Sequence, residues 1–191
     1  MNLWNLPTLV LAKELLGMKL IHLDDDGKTS GYIVETEAYL GPEDRAAHSY
    51  NNRRTARTEV MFSEAGRVYT YFIYGMHVCF NIVSGPVNKP EAILIRALQP
   101  IEGIEIMKER RVRAKTEIQL TNGPGKLSKA MGFTLTDSGK KMNEEDIRIE
   151  DGMNIEPNQI ISGPRIGIQY AEEAVHYPYR FWIKNNPYVS R

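Results

Sequence analysis

The sequence predicts an α+β fold in one domain, built mainly on antiparallel sheet, with a hairpin reaching out of it. Three observations carry this. Strand-like runs outnumber helical ones, and they come in pairs joined by short turns. The helical segments fall irregularly between them, without the strand–helix alternation of a parallel sheet. The chain has 191 residues and 42% hydrophobic content, enough for one packed core and short for two.

The elements follow in order. "PTLVLAKELLG" is a helix, with Pro7 near its start and Gly17 just past its end. "KLIHLDDDGKTSGYIVETEAYL" is two strands with Asp26-Gly27 near the turn. "RVYTYFIYGMHVCFNIVSG" is a second hairpin, and a two-residue loop at Gly75-Met76 suits a type II′ turn. "EAILIRAL" is a short strand, followed by a basic helix through "GIEIMKERRVRA" and another helix beginning at "GPGKLSKAMG". The last third reads as strand-rich, with "EDIRIEDG" and "GPRIGIQYA" separated by turn residues.

Several classes of function lack their signature. The apolar N-terminus has no basic leader and carries Lys13 and Glu14, so it reads as an amphipathic helix and not a signal peptide. Apolar stretches are interrupted by His77, Asn81 or Arg96, so no segment reads as membrane-spanning, and a cytoplasmic protein is expected. Cys79 is alone, which excludes a disulfide framework or a cysteine metal site. His22, His48, His77 and His176 show no metal-ligand spacing. "GPGK" fails as a phosphate loop because Leu120 stands where glycine is needed and Leu127 where a hydroxyl is needed. No G-x-S-x-G elbow or kinase set is present.

The net charge is zero, from 24 basic and 24 acidic residues, but its distribution is uneven. "RRTAR" (53–57) and "KERRVRAK" (108–115) are basic, whereas "NEEDIRIEDG" (143–152) is acidic. A neutral total is compatible with one positive face for nucleic acid; each run alone also reads as solvated surface.

"VETEAYLGPEDRAAHS" (34–49) holds the unusual chemistry. Strand alternation puts Ile33, Glu35, Glu37 and Tyr39 on one side and Val34, Thr36 and Ala38 on the other. Two carboxylates and a tyrosine thus leave the end of an apolar strand, and His48 arrives after a Gly-Pro turn. Glu35 lies nearer the core and reads as a structural partner for a cation. At the tip of the second hairpin, Tyr74, Met76 and His77 are wrong for an ordinary solvated turn. They suit a wedge entering a minor groove, and they also suit a protein interface. A carboxylate for water, aromatics for a flat ring and a wedge for unstacking together describe an enzyme acting on an extruded base.

These segments, with "MFSEAGRVYTYFIYGMHVCFNI", "ILIRALQPIEG", "NGPGKLSKAMG" and "GPRIGIQYAEEAVHYPYRFWIKNNPYVS", resemble the alkyladenine (3-methyladenine) DNA glycosylase family, of the single-domain type. The resemblance runs over roughly residues 9–190. It implies a curved antiparallel sheet surrounded by helices. It further implies hydrolysis of the N-glycosidic bond of alkylated or deaminated purines in double-stranded DNA, leaving an abasic site, with no metal or organic cofactor. By resemblance Glu37 is the general base, and Tyr39, His48 and Tyr71 hold the flipped base. Tyr74 fills the vacated stack, with Met76 and His77 beside it. Asn81 excludes the amino group of guanine, and Arg96 lies near the water and the nucleotide backbone. His77 stands where vertebrate-like members carry another aromatic, and the compact, neutral chain resembles a bacterial member. A monomer fits a protein that searches along DNA. No lysine in these motifs stands as a Schiff-base nucleophile, so strand cleavage is not expected.

Two competing readings are a non-catalytic nucleic-acid-binding module of the same fold and a hydrolase of free nucleosides. Neither accounts for the carboxylate, the aromatic set and the tip residues together. One geometric conflict stands: with Gly75-Met76 as the loop, paired numbers sum to 151, which sets Tyr71 and Asn81 on opposite faces. Both line one pocket only with a bulge, a strong twist or a different turn.

Overall fold

The computed structural model describes residues 2–73, 75–144 and 146–190. Eight strands form one antiparallel sheet: β1 Lys19–Asp24, β2 Gly27–Tyr39, β3 Val68–Ile73, β4 His77–Val83, β5 Ala92–Glu102, β6 Ile147–Glu150, β7 Ile160–Gly163 and β8 Arg180–Ile183. The order is β3-β4-β5-β2-β1-β6. β2 and β5 are the long central pair. The other edge of β2 is shared, with β1 along its first half and β8 along Glu35–Glu37, and β7 pairs β8. The sheet therefore forks beside the two glutamates.

Among the described residues four α-helices accompany it: α1 Thr8–Glu14, α2 Ile104–Arg110, α3 Ile118–Thr121 and α4 Pro124–Met131. α1 lies against β2, and Thr36 Oγ1 donates to the Ala12 carbonyl at 2.8 Å. The opposite side chains of β2, Glu35 and Glu37, are thereby turned away from α1. The main core joins Leu11 and Leu15 of α1 to Ile33, Phe80, Ile95 and Leu98 of the sheet and to Leu127 and Met131 of α4. Phe133 stacks on Phe80 at 4.1 Å and closes the core beyond α4.

The single-domain α+β expectation holds, and the sheet curls. The β2–β5 register shifts at Ser30/Gly31, Ile33/Glu35 and Glu35/Thr36, and such irregularities bend and twist a ladder. The register passes over Val34 on β2 and Arg96 on β5. Ile33 consequently joins Val34 in the main core and does not share a face with the glutamates.

Three local expectations are corrected. Ile73 pairs with His77, so paired numbers in the second hairpin sum to 150 and three residues, not two, separate the strands. Gly75 adopts φ +66°, a left-handed conformation that glycine supplies cheaply. Tyr71 then pairs with Cys79 and Tyr69 with Asn81, which places all four on one face. The strand read in "EAILIRAL" continues to Glu102, because Leu98 and Pro100 still pair with β2. "GPRIGIQYA" is not a strand: β7 ends at Gly163, and residues 164–170 run irregularly towards β2. Strands in the last third are only four residues each.

Candidate active site

A cavity of about 520 Å³ opens where β3 and β4 meet the end of β2, a size usual for small-ligand sites, about 300–1,000 Å³. Tyr39, His48, Tyr71, Asn81 and Arg96 all line it. The corrected register is what admits Tyr71 and Asn81 together. A larger groove, about 970 Å³, runs past Trp4 and Glu91. It brings together no such set, and Glu91 is already engaged by Thr8 Oγ1 and Lys89.

Glu37 is 0% exposed and sits one layer behind the cavity wall. Oε1 accepts from the Ile166 N–H at 2.8 Å and faces Arg96 Nη1 at 3.3 Å, and Oε2 accepts from the Tyr39 hydroxyl at 2.8 Å. Tyr39, Arg96 and Ile166 each line the cavity. Burial, then the Glu37 charge, pushes the Tyr39 pKa well up, so its hydroxyl keeps its proton and donates. Burial disfavours the Arg96 charge, but Glu37 and Glu35 outweigh it and raise its pKa.

Glu35 is equally buried and differently used. Its carboxylate accepts from Arg96 Nε at 3.2 Å, Arg180 Nε at 2.6 Å, Ser190 Oγ at 2.9 Å and Ser190 N–H at 2.7 Å. A carboxylate has about four acceptor positions; those of Glu35 are filled, whereas Glu37 has three donors among the described residues.

The aromatic wall is held from behind. The Arg165 guanidinium lies 4.7 Å from the Tyr39 ring centroid. Arg165 is buried, bridges to Asp44 (Nη2–Oδ1 2.8 Å) and donates to the Ala38 carbonyl. His48 meets the Tyr71 ring edge-on at 4.5 Å and contacts Tyr69 Oη through Nδ1 at 2.9 Å. Arg57 Nη2 lies 3.0 Å from His48 Nε2 and 3.4 Å from Nδ1. Burial, then the Arg57 charge, lowers the His48 pKa to about 4, so the ring is neutral at physiological pH. Asn81 Nδ2 donates to the Tyr69 carbonyl at 3.0 Å. Cys79 also lines the cavity, and burial pushes its thiol up to about 11.

The hairpin tip stands apart from these groups. Met76 is 71% exposed and Gly75 and His77 are exposed. His77 passes close to Gly125 in the first turn of α4, where an added Cβ would come within 2.9 Å of the histidine Cβ. Tyr74 lies outside the described residues. Of the two basic runs, 53–57 is exposed, whereas Arg110 in the second is bound to Asp24 and Asp26. His22, Asp137 and Asp146 bring ligand atoms within 4.8 Å of one another, but Lys140 Nζ already lies 2.8 Å from both carboxylates.

Sequence reasoning did not single out Arg57, Arg165 or Ile166. Arg57 stood within "RRTAR", and the other two within a segment read as a strand.

A family model described as methylpurine-DNA glycosylase matches residues 2–187. Relatives named "Putative 3-methyladenine DNA glycosylase" are 53% identical in Bacillus mycoides, over 96% of this chain and 95% of the relative, and 53% identical in Bacillus licheniformis, over 100% and 95%. A Bacillus cytotoxicus relative of the same name is 51% identical over 96% and 95%. With a match across almost all its length, the chain belongs to the methylpurine-DNA glycosylase family, and with it to the DNA glycosylase enzymes.

Proposed function

We propose that the protein hydrolyses the N-glycosidic bond of alkylated or deaminated purines in double-stranded DNA, after rotating the nucleotide out of the helix. The class includes 3-methyladenine, 7-methylguanine, hypoxanthine and ethenoadenine. The observation that carries this reading is the buried Glu37 behind a cavity walled by Tyr39, His48 and Tyr71.

Departure of a purine leaves positive charge on the sugar ring. A carboxylate beside the anomeric carbon stabilises that charge and takes a proton from the attacking water. Glu37 performs both roles in this reading. Its three donors hold it in one orientation, and the water takes the place of one of them, with Arg96 contacting the water and the nucleotide backbone. Tyr39 and Tyr71 receive the base by stacking, and a cationic base gains further from their π faces. His48 contributes as a neutral ring. Asn81 narrows the cavity against a 2-amino group. Met76 and His77, with Tyr74, enter the duplex at the vacated position. The exposed basic segment 53–57 meets phosphates.

The product in this reading is an abasic site without strand cleavage. Borohydride trapping of a covalent adduct would contradict this. The protein works in this reading as a monomer on bacterial chromosomal DNA in the cytoplasm.

The test is single-turnover release of hypoxanthine from a defined duplex, and of bases from methylated DNA, by wild type and Glu37→Gln. Release by wild type and loss in the variant is the expected result. Release by neither, with duplex binding intact, would make the protein a binding module.

A further inference from the structure

Among the described residues, two arginines line the cavity, and their surroundings differ. Arg96 is neutralised by Glu35 and Glu37. Arg57 forms no ion pair among the described residues. Its guanidinium carbon lies instead 4.8 Å from the Tyr71 ring centroid, and Nη2 lies 3.0 Å from His48 Nε2 and 3.4 Å from Nδ1. These are the rings that a stacked purine would meet.

We propose that Arg57 is a displaceable occupant of the base site: in the free protein it covers Tyr71 and His48, and an incoming purine sends it to a phosphate of the bound DNA. The proposal rests on reading this cavity as the damaged-base site.

Three physical arguments support it. One ring face does not carry a guanidinium and a purine at once. An alkylated purine is itself a cation, so keeping Arg57 in place would set like charges together on one ring. The contact is also weak enough to exchange. Arg57 is exposed, and an exposed cation–π contact favours the bound position by only about two- to fivefold. A phosphate offers the guanidinium a paired, bidentate partner and releases a counterion. Arg57 thus makes base entry and phosphate capture one exchange. Its departure also uncovers His48 Nε2, on a ring that burial and the arginine charge keep neutral.

The test compares wild type with Arg57→Ala. Arg57 is exposed, so its removal spares the core. The first probe is the 3,9-dimethyladeninium cation, which has no sugar to lose, with affinity read by titration calorimetry. Binding about three- to sixfold tighter in the variant is expected, because the competing cation is gone. The second measurement is the salt dependence of binding to a duplex carrying one 2′-fluoro-2′-deoxyinosine, which presents a purine to the cavity through a glycosidic bond that resists hydrolysis. The slope of log K against log salt is expected to fall by about one in the variant. Equal or weaker cation binding by the variant would overturn the occupant role while leaving the base site standing. An unchanged salt slope would overturn the transfer to phosphate. Binding of the cation to neither protein would remove the base-site reading and this proposal with it.

Discussion

Tyr39 donates its hydroxyl to Glu37 Oε2 at 2.8 Å, and the two residues stand two apart on one strand. The alternation of a strand makes this pairing local. Arg96, crossing from β5, joins the same carboxylate to Glu35, and it does so at the position where the β2–β5 register passes over it. One irregularity in the ladder thus lets a single guanidinium serve two buried carboxylates.

The two glutamates should therefore separate on replacement. Glu35→Gln leaves Arg96 and Arg180 short of a buried counter-charge, and a broken buried pair costs about 3–5 kcal/mol. Glu37→Gln removes a charge while Glu35 still holds Arg96, and its stability loss should be the smaller. Positioned general-base catalysis contributes typically ~10²–10⁴-fold, so excision by Glu37→Gln should fall by that order. Urea unfolding and single-turnover rates on both variants check the contrast. Equal unfolding losses would mean that Glu37 carries as much of the structure as Glu35.

The His48 pKa sets a pH dependence with a definite sign. Its folded value is about 4 against 6.5 for the free side chain. Between these values the unfolded chain binds more protons than the folded one, so stability rises with pH. This contribution is present in full above about pH 6.5, is lost as pH falls towards 4, and is flat below. Removing Arg57 takes away the second cause of the shift and leaves burial, the first. The imidazole titration of Arg57→Ala, followed by NMR, should move up part of the way towards 6.5. No movement would mean that the Arg57 charge does not reach the ring.

Cys79 faces the cavity beside Tyr71 and should nonetheless resist alkylation. Its thiol is pushed from 9.0 to about 11, mainly by burial. That difference of two pH units means about 100-fold less thiolate near neutral pH, and the thiolate is the nucleophile. Native protein should therefore label with iodoacetamide at least about 100-fold more slowly than unfolded protein. Rapid labelling of the native state would show that the cavity admits and activates the thiol.

What could be read from the chain alone follows contact distance. "ETEAY" placed Glu37 beside Tyr39 because strand alternation is local. The hairpin was legible as a hairpin, but its register depended on assigning Gly75 to a two-residue loop. A three-residue connection changes the pairing sum by one and turns Asn81 onto the face of Tyr71. Arg165 and Ile166 reach the site from an irregular segment, with Ile166 bonded to a residue 129 positions away. Ser190 meets Glu35 across 155 positions. No periodicity encodes such contacts, and a short run like "GPRIGI" resembles a strand until its partner is known. The basic run 53–57 showed charge, but not that one of its arginines folds back onto Tyr71.

Asn81 offers the sharpest test of selectivity. It stands opposite Tyr69 in the hairpin ladder, is 2% exposed, and is fixed by the hydrogen bond from Nδ2 to the Tyr69 carbonyl. Swinging this side chain aside for a larger base would break that bond. Asn81→Ser shortens the side chain and opens space where it meets the cavity. A steric difference of this size is worth about 1–3 kcal/mol, or roughly 10–200-fold in discrimination. Excision of guanine relative to hypoxanthine should rise by at least about tenfold in the variant, measured on two duplexes that differ only in that base. The lost hydrogen bond should lower stability by about 1–3 kcal/mol in urea unfolding. A variant that is destabilised but keeps the wild-type ratio would make Asn81 a structural residue of the hairpin and move the exclusion of guanine elsewhere in the cavity.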